Sequence, residues 1–289
     1  MQSQGFQRMV LATDGSEQAE AAARVAAALA DSSGAAVRVV HCWNLEVHHR
    51  HGVRDLQMRS EAQNLITEAV ARLRALDIRA DGQLVRADSN HVGAAIAAAV
   101  REFNADLAIV GSRGLSNWRS MFEHSVSHQL LNAVDRPVLI VREAPASVLH
   151  EPSRIVLAIA GGDDLAPAVR AAIAAASRPG SRVLVTHVVQ AMFAAQGFAY
   201  IETGDEIQET VAKAATMLKE AGIAAEIKVA RPGPVAHTLA EIAWQWHADI
   251  IVIGSSRMGD PASIVFGSVT HDLLRATARP VLVAERITG

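Results

Sequence analysis

Cysteine, aromatic residues and net charge are all scarce in this 289-residue chain. The one cysteine, Cys42, cannot form an internal disulfide, which excludes a disulfide-stapled scaffold and points to a reducing compartment. Lys and Arg number 27 against 30 Asp and Glu, a formal charge of −3. That balance argues against a nucleic-acid partner held on a broad basic face. Long apolar runs are missing too. Val92 to Val100 is closed by Arg101, far short of the ~20 residues of a spanning helix, so no membrane partner is expected. Met1 to Val10 lacks the charged-then-apolar layout of a secretory signal, and a cytoplasmic location is expected. What is present is core material. Half of the residues are hydrophobic (50%), enough for one large or two ordinary domains and too much for a disordered chain.

The chain repeats itself once. Leu11-Ala12-Thr13-Asp14-Gly15-Ser16 returns as Leu157-Ala158-Ile159-Ala160-Gly161-Gly162, and Val40-His41 as Thr186-His187, both at an offset of 146. Ala105-Asp106-Leu107 returns as Ala248-Asp249-Ile250, Gly111-Ser112 as Gly254-Ser255, and Ser125-Val126-Ser127-His128 as Ser268-Val269-Thr270-His271, at 143. Arg136-Pro137-Val138-Leu139 returns as Arg279-Pro280-Val281-Leu282. Conserved order at nearly constant offset means two copies of one domain, assigned to residues 1–145 and 152–289. Pro145 and Pro152 bracket a short linker.

Each copy alternates apolar strands with helices. In the first copy Met9–Ala12 leads to a helix from Glu17 with Ser16 as its N-cap. Val37–Cys42 is a buried strand, and Leu65, Ile66, Ala69, Val70, Leu73 and Leu76 form one face of a helix near 55–76. A third strand is predicted at Gln83–Ala87, a helix at Val92–Phe103, a strand at Leu107–Val110, a helix at Ser125–Ala133 and a last strand at Val138–Val141. The second copy follows suit, with its third strand at Glu226–Val229. The pattern predicts an α/β fold: in each copy a parallel sheet covered on both faces by helices. Ligands of such sheets bind at the carboxyl ends of the strands, where strand order reverses.

The loop after the fourth strand could carry that chemistry. Gly111-Ser112-Arg113-Gly114 is followed by nine residues and then His124-Ser125-Val126-Ser127. Glycines let a backbone approach a phosphate, and a helix starting near Ser125 would aim its free N–H groups and positive dipole end at the same place.

These motifs resemble the universal stress protein family over nearly the whole chain, in both halves. The strand followed by Asp14, the G-x2-G-x9-G-[ST]-like loop, Ala-Asp before strand four and Arg-Pro-Val before strand five carry the resemblance. It implies an adenine-nucleotide-binding α/β domain with a five-stranded parallel sheet, present twice. It further implies a nucleotide-dependent stress-response module rather than a turnover enzyme. The implied ligand is ATP, with Mg2+, in one or both halves. In the first half the implied contacts are Asp14, Gly15, Cys42, Gly111, Ser112, Arg113, Gly114, His124, Ser125 and Val126. In the second they are Gly161, Val188, Gly254, Ser255, Arg257, Gly259, Gly267, Ser268 and Val269. The family pattern is incomplete: His124 stands where the third glycine belongs, Arg257 where the second belongs, and Ala160 where the acid belongs. His124 either faces a phosphate or fills its place, and Arg257 likewise either pairs or occludes. The alternative is a nucleotide-free interaction member of the family. An unknown protein partner, pairing of the two halves through their last strands, and a homodimer of two chains complete the expected partners.

Other constellations are weaker. His48, His49 and His51 are too close together, with Arg50 among them, to match a zinc ligand spacing, and no metal is expected. Cys42 lacks an identifiable orienting partner, and a lone strand cysteine behaves as a small hydrophobe. No catalytic residue is assigned. Trp244 and Trp246, two apart on one helix, cannot share a face, so one is expected in the core.

Overall fold

The computed structural model describes residues 5–43, 52–87, 91–112, 126–144, 154–160, 165–194, 197–200, 203–254 and 268–284. The chain divides into two compact units, one spanning Phe6–His150 and the other Glu151–Gly289.

The first half runs β1 (Arg8–Ala12), α1 (Glu17–Ser33), β2 (Ala36–Trp43), α2 (Gly52–Arg74), β3 (Arg79–Arg86), α3 (Val92–Glu102), β4 (Leu107–Gly111), α4 (Val126–Ala133) and β5 (Val138–Val141). All strand pairs are parallel, in the order β5-β4-β1-β2-β3. The chain moves from β1 outward to β3 and then crosses to β4 on the other side of β1. Right-handed crossovers therefore place α1 and α2 on one face and α3 and α4 on the other. Accordingly α1 packs on β1, β4 and β5, α2 on β2 and β3, and α3 against α4. Met9, Leu11, Leu107 and Ile109 are fully buried, as expected of strands covered on both faces.

The second half repeats this with β6 (Arg154–Ala158), α5 (Ala166–Ala175), β7 (Arg182–Val188), the hairpin β8 (Ala191–Ala194) and β9 (Gly197–Tyr200), α6 (Gly204–Glu220), β10 (Ala224–Ala230), α7 (Val235–Gln245), β11 (Ile250–Ile253), α8 (Ser268–Ala276) and β12 (Val281–Val283). Its five parallel strands lie in the order β12-β11-β6-β7-β10.

Local signals account for several boundaries. Ser16 Oγ accepts from the Ala19 N–H at 3.3 Å, and Gly34, at φ 68°, closes α1 through a hydrogen bond to the Ala30 carbonyl. Thr203 and Glu206 form a capping box at the start of α6.

Two expectations need correction. The third strand of each half begins earlier than predicted, at Arg79 rather than Gln83 and at Ala224 rather than Glu226. These strands pair on one side with β2 and β7, so polar residues sit in them without an apolar pattern. Arg38 and the cross-strand Asp81 form a two-pronged ion pair at 2.7 and 2.9 Å. The Arg38 guanidinium holds the Asp81 carboxyl below its ordinary range. At Gly82 an added Cβ would lie 2.1 Å from Ile66 Cγ2, so glycine lets α2 press onto the strand. The hairpin β8–β9 was not anticipated. Its strands lie in a run, Ala191 to Tyr200, without strict apolar alternation.

Candidate functional site

The site is built at the carboxyl ends of β1 and β4, which lie side by side with Ala12 opposite Val110. Strand order reverses here, because β1 continues to β2 on one side and meets β4 on the other.

The turn after β1 is held by four hydrogen bonds. The Thr13 N–H donates to the Val40 carbonyl at 2.9 Å. His41 Nδ1–H donates to the Thr13 carbonyl at 2.7 Å. The Gly15 N–H donates to Thr13 Oγ1 at 3.3 Å, and the Ser16 N–H to Asp14 Oδ1 at 3.0 Å. Gly15 takes φ 75°, which favours glycine. The result is an exposed Asp14 carboxylate on a pinned turn. The second half repeats the scaffold: the Ile159 N–H donates to the Thr186 carbonyl at 3.0 Å, and His187 Nδ1–H donates to the Ile159 carbonyl at 3.1 Å. A carbonyl only accepts, so both rings carry the proton on Nδ1. Recurrence of His41 and His187 thus has a structural cause. The second half presents exposed Ala160 instead of an acid.

At the end of β4 the structure changes the meaning of a predicted residue. The loop pattern predicts that Gly111 makes room for a phosphate. A Cβ there would instead meet the backbone of α1, 2.6 Å from Gln18 C and 2.7 Å from Ala19 N. Glycine is required because a helix lies across the strand end. The next N–H, of Ser112, donates to the Val141 carbonyl at 2.8 Å and continues the ladder. The counterpart Gly254 is different, with only Ala168 Cβ nearby at 3.9 Å.

Charge separates the helix ends at the strand-end edge of each half. α1 carries Glu17 and Glu20 in its first turn, which already answer its positive dipole end. The first turns of α4, starting at Val126, and of α8, starting at Ser268 and Val269, carry no acid. An anion is therefore favoured at α4 and α8 over α1.

Cys42 lies in β2 opposite Val85, and Val188 ends β7 opposite Ala230. Burial pushes the Cys42 thiol up to about 11. Native Cys42 should therefore react with iodoacetamide at pH 8 on the order of 100-fold more slowly than in the unfolded chain, because only the thiolate attacks. Mass-spectrometric alkylation rates check this; equal rates would refute it. Arg113, Gly114, His124, Ser125, Gly161, Ser255, Arg257, Gly259 and Gly267 lie outside the described residues, as do His48, His49 and His51.

Of Trp244 and Trp246, neither is a core residue. Trp244 is 69% exposed, and half-buried Trp246 carries the Arg154 guanidinium 4.5 Å above its ring.

The repeated Ala-Asp motif proves to be a clamp. Asp106 accepts from the Gln7 N–H at 2.7 Å and the Arg8 N–H at 3.1 Å, and its own N–H donates to the Arg8 carbonyl at 2.9 Å. Asp249 accepts from the Arg154 N–H at 2.9 Å and donates its N–H to the Arg154 carbonyl at 2.7 Å. The sequence signal was the repetition itself; the partner at the start of the first strand was not visible in it.

No described helix is long and apolar enough to cross a membrane. The universal stress protein family model matches residues 5–142 and again 152–285. A universal stress protein of Thermus aquaticus, encoded beside a QAH/OAS sulfhydrylase, is 33% identical over 148 residues, covering 47% of this chain and 99% of that protein. A universal stress protein crystal structure from Archaeoglobus fulgidus superposes with a TM-score of 0.76 at 20% identity, covering 99% of this chain and 100% of that one. A putative universal stress protein from Pseudomonas aeruginosa gives 0.61 at 17% identity, over 97% and 94% of the two chains. With the motif repeated, the sheet order repeated and the family model matched twice, the chain belongs to the universal stress protein family as a tandem of two such domains.

Proposed function

We propose that the chain is a nucleotide-dependent regulatory module that binds ATP with Mg2+ at the carboxyl ends of β1 and β4, and that it signals to a protein partner without turning the nucleotide over. The observation that carries the reading is the pinned, solvent-facing Asp14 at the point of strand-order reversal, in a half whose α4 begins without an acid in its first turn. Asp14 is the acceptor suited to sugar hydroxyls, and the start of α4 is the end suited to phosphate. ATP would supply a polyanion whose charge changes with its phosphorylation state. Cys42 is a poor nucleophile at neutral pH, and no base is assigned, so hydrolysis is expected to be slow and incidental.

The first half is the better binder, because the second has Ala160 in place of Asp14. Calorimetry with ATP and Mg2+ on the full chain tests this. A micromolar-range site is expected, weakened about 10- to 100-fold by Asp14→Ala, the loss of a hydrogen bond to a charged group. His124→Gly should tighten binding if the ring occupies the phosphate position and weaken it if the ring contacts phosphate. Absence of heat with ATP, and of nucleotide released on denaturation, would sink the proposal and favour a nucleotide-free interaction role.

A further inference from the structure

A cavity lies between α1 and α2 of the first half, on the helix-covered face, and reaches Thr13 just beyond the end of β1. Its volume is about 330 Å³, within the ~300–1,000 Å³ range of small-molecule pockets. Leu11 and Thr13 line one part of it; Ala19, Ala23 and Ala27 of α1 line another, with Leu73 of α2 beyond. Arg72 reaches across from α2 to pair with Glu20 at 2.7 Å. Arg24 lines the same cavity, is exposed, and makes no ion pair among the described residues. Leu76, 60% exposed, lines it as well.

The repeat supplies an internal control. Gly34 and Gly180 both take positive φ at the turn that follows the first helix of each half, and His41 and His187 make the same bond, so the two first helices share a register of 146. Ala19, Ala23 and Ala27 therefore correspond to Leu165, Val169 and Ile173. The Ile78 N–H donates to the Leu73 carbonyl as the Ile223 N–H does to Leu218, which fixes the second helices at 145. Glu20 and Arg72 then correspond to Ala166 and Met217. The second half thus carries larger aliphatic side chains at the same helix positions, with Leu165 and Val169 buried, and an alanine and a methionine where the first half has its ion pair. The fold does not require the gap. Three trimmed side chains one turn apart create it, and an empty apolar cavity lowers stability.

We propose that this cavity binds a small aliphatic carboxylate, with its hydrocarbon chain against the alanines and its carboxylate on Arg24. Apart from Thr13, the uncharged walls named are methyl and isobutyl groups, which suit a saturated chain, and a guanidinium pairs with a carboxylate bidentately. At about 330 Å³, a groove open to solvent on the side of exposed Arg24 has room for a medium-length chain. The proposal does not rest on nucleotide binding, although Thr13 belongs to both places.

Calorimetric titration of the full chain with decanoate, below its micelle concentration, tests it. Saturable binding at one site is expected. The double variant Ala23→Val, Ala27→Ile introduces the residues of the second half. It should bind decanoate at least tenfold more weakly, with its melting temperature unchanged or raised. Decanol should bind the unaltered chain more weakly than decanoate does, and Arg24→Gln should abolish that preference while leaving the melting temperature unchanged. No saturable heat from the unaltered chain, full affinity in a folded double variant, or equal affinity for decanoate and decanol would overturn the proposal.

Discussion

Gly111→Ala is expected to destabilise the first half by about 2–3 kcal/mol, whereas Gly254→Ala is expected to be neutral or slightly stabilising. The two glycines occupy the same place in the repeat, yet their surroundings differ. At Gly111 the added carbon meets main-chain atoms of α1 at 2.6–2.7 Å. Main chain within a helix cannot rotate aside as a side chain can, so α1 would have to lift from β4, and overpacking of this kind costs about 1–3 kcal/mol. At Gly254 the nearest atom is 3.9 Å away, an ordinary contact. There alanine reduces the freedom of the unfolded chain without strain, a gain of about 0.4–1 kcal/mol. Hydrogen exchange on the full chain reads the halves separately: faster exchange in α1 and β4 for Gly111→Ala, none in β11 for Gly254→Ala. Equal effects would show that the approach of α1 to Gly111 is wrong. Because Asp14 precedes α1, Gly111→Ala should also weaken nucleotide binding in the first half.

The second large effect concerns the clamp between the fourth and first strands. Asp249→Ala should cost the second half about 2–3 kcal/mol, the scale for removing a charged acceptor from a buried backbone donor. Asp249 is only 3% exposed, so water cannot readily replace it at the Arg154 N–H. Asp106→Ala should cost less, about 1–2 kcal/mol, because the Gln7 and Arg8 amides it serves are reachable by solvent. Asp249→Asn retains one acceptor oxygen and should recover part of the loss. Denaturant unfolding with exchange measured on β6 checks the order. A harmless Asp249→Ala would mean that the strand start is held by its ladder alone.

Much of the fold was legible because its information is local and periodic. The apolar runs at Met9–Ala12 and Leu107–Val110, the amphipathic spacing from Leu65 to Leu73, the Ser16 cap and the terminating Gly34 each act within a few residues. Repetition doubled most of these signals, though not the Ser16 cap, since Leu165 at the start of α5 makes no side-chain cap. The outer strands were harder to bound, because Arg79–Asp81 is held by main-chain pairing to β2 and by the Arg38 ion pair, neither of which leaves an apolar pattern. The hairpin of β8 and β9 had no counterpart motif to announce it.

The sequence by itself determined the duplication, the alternation of strands and helices, the family and the short set of residues from which a strand-end site can be made. Those follow from spacing along the chain. The tertiary structure decided what several of those residues are for. Gly111 is glycine because Gln18 and Ala19 lie against it, Asp106 and Asp249 are acids because a strand begins beside them, and His41 and His187 recur because a carbonyl 28 residues earlier needs a donor. The cavity between α1 and α2 likewise exists only once two helices distant in sequence face each other. Local propensity cannot encode which distant backbone will lie within 3 Å; only the packed sheet and its helices bring those atoms together.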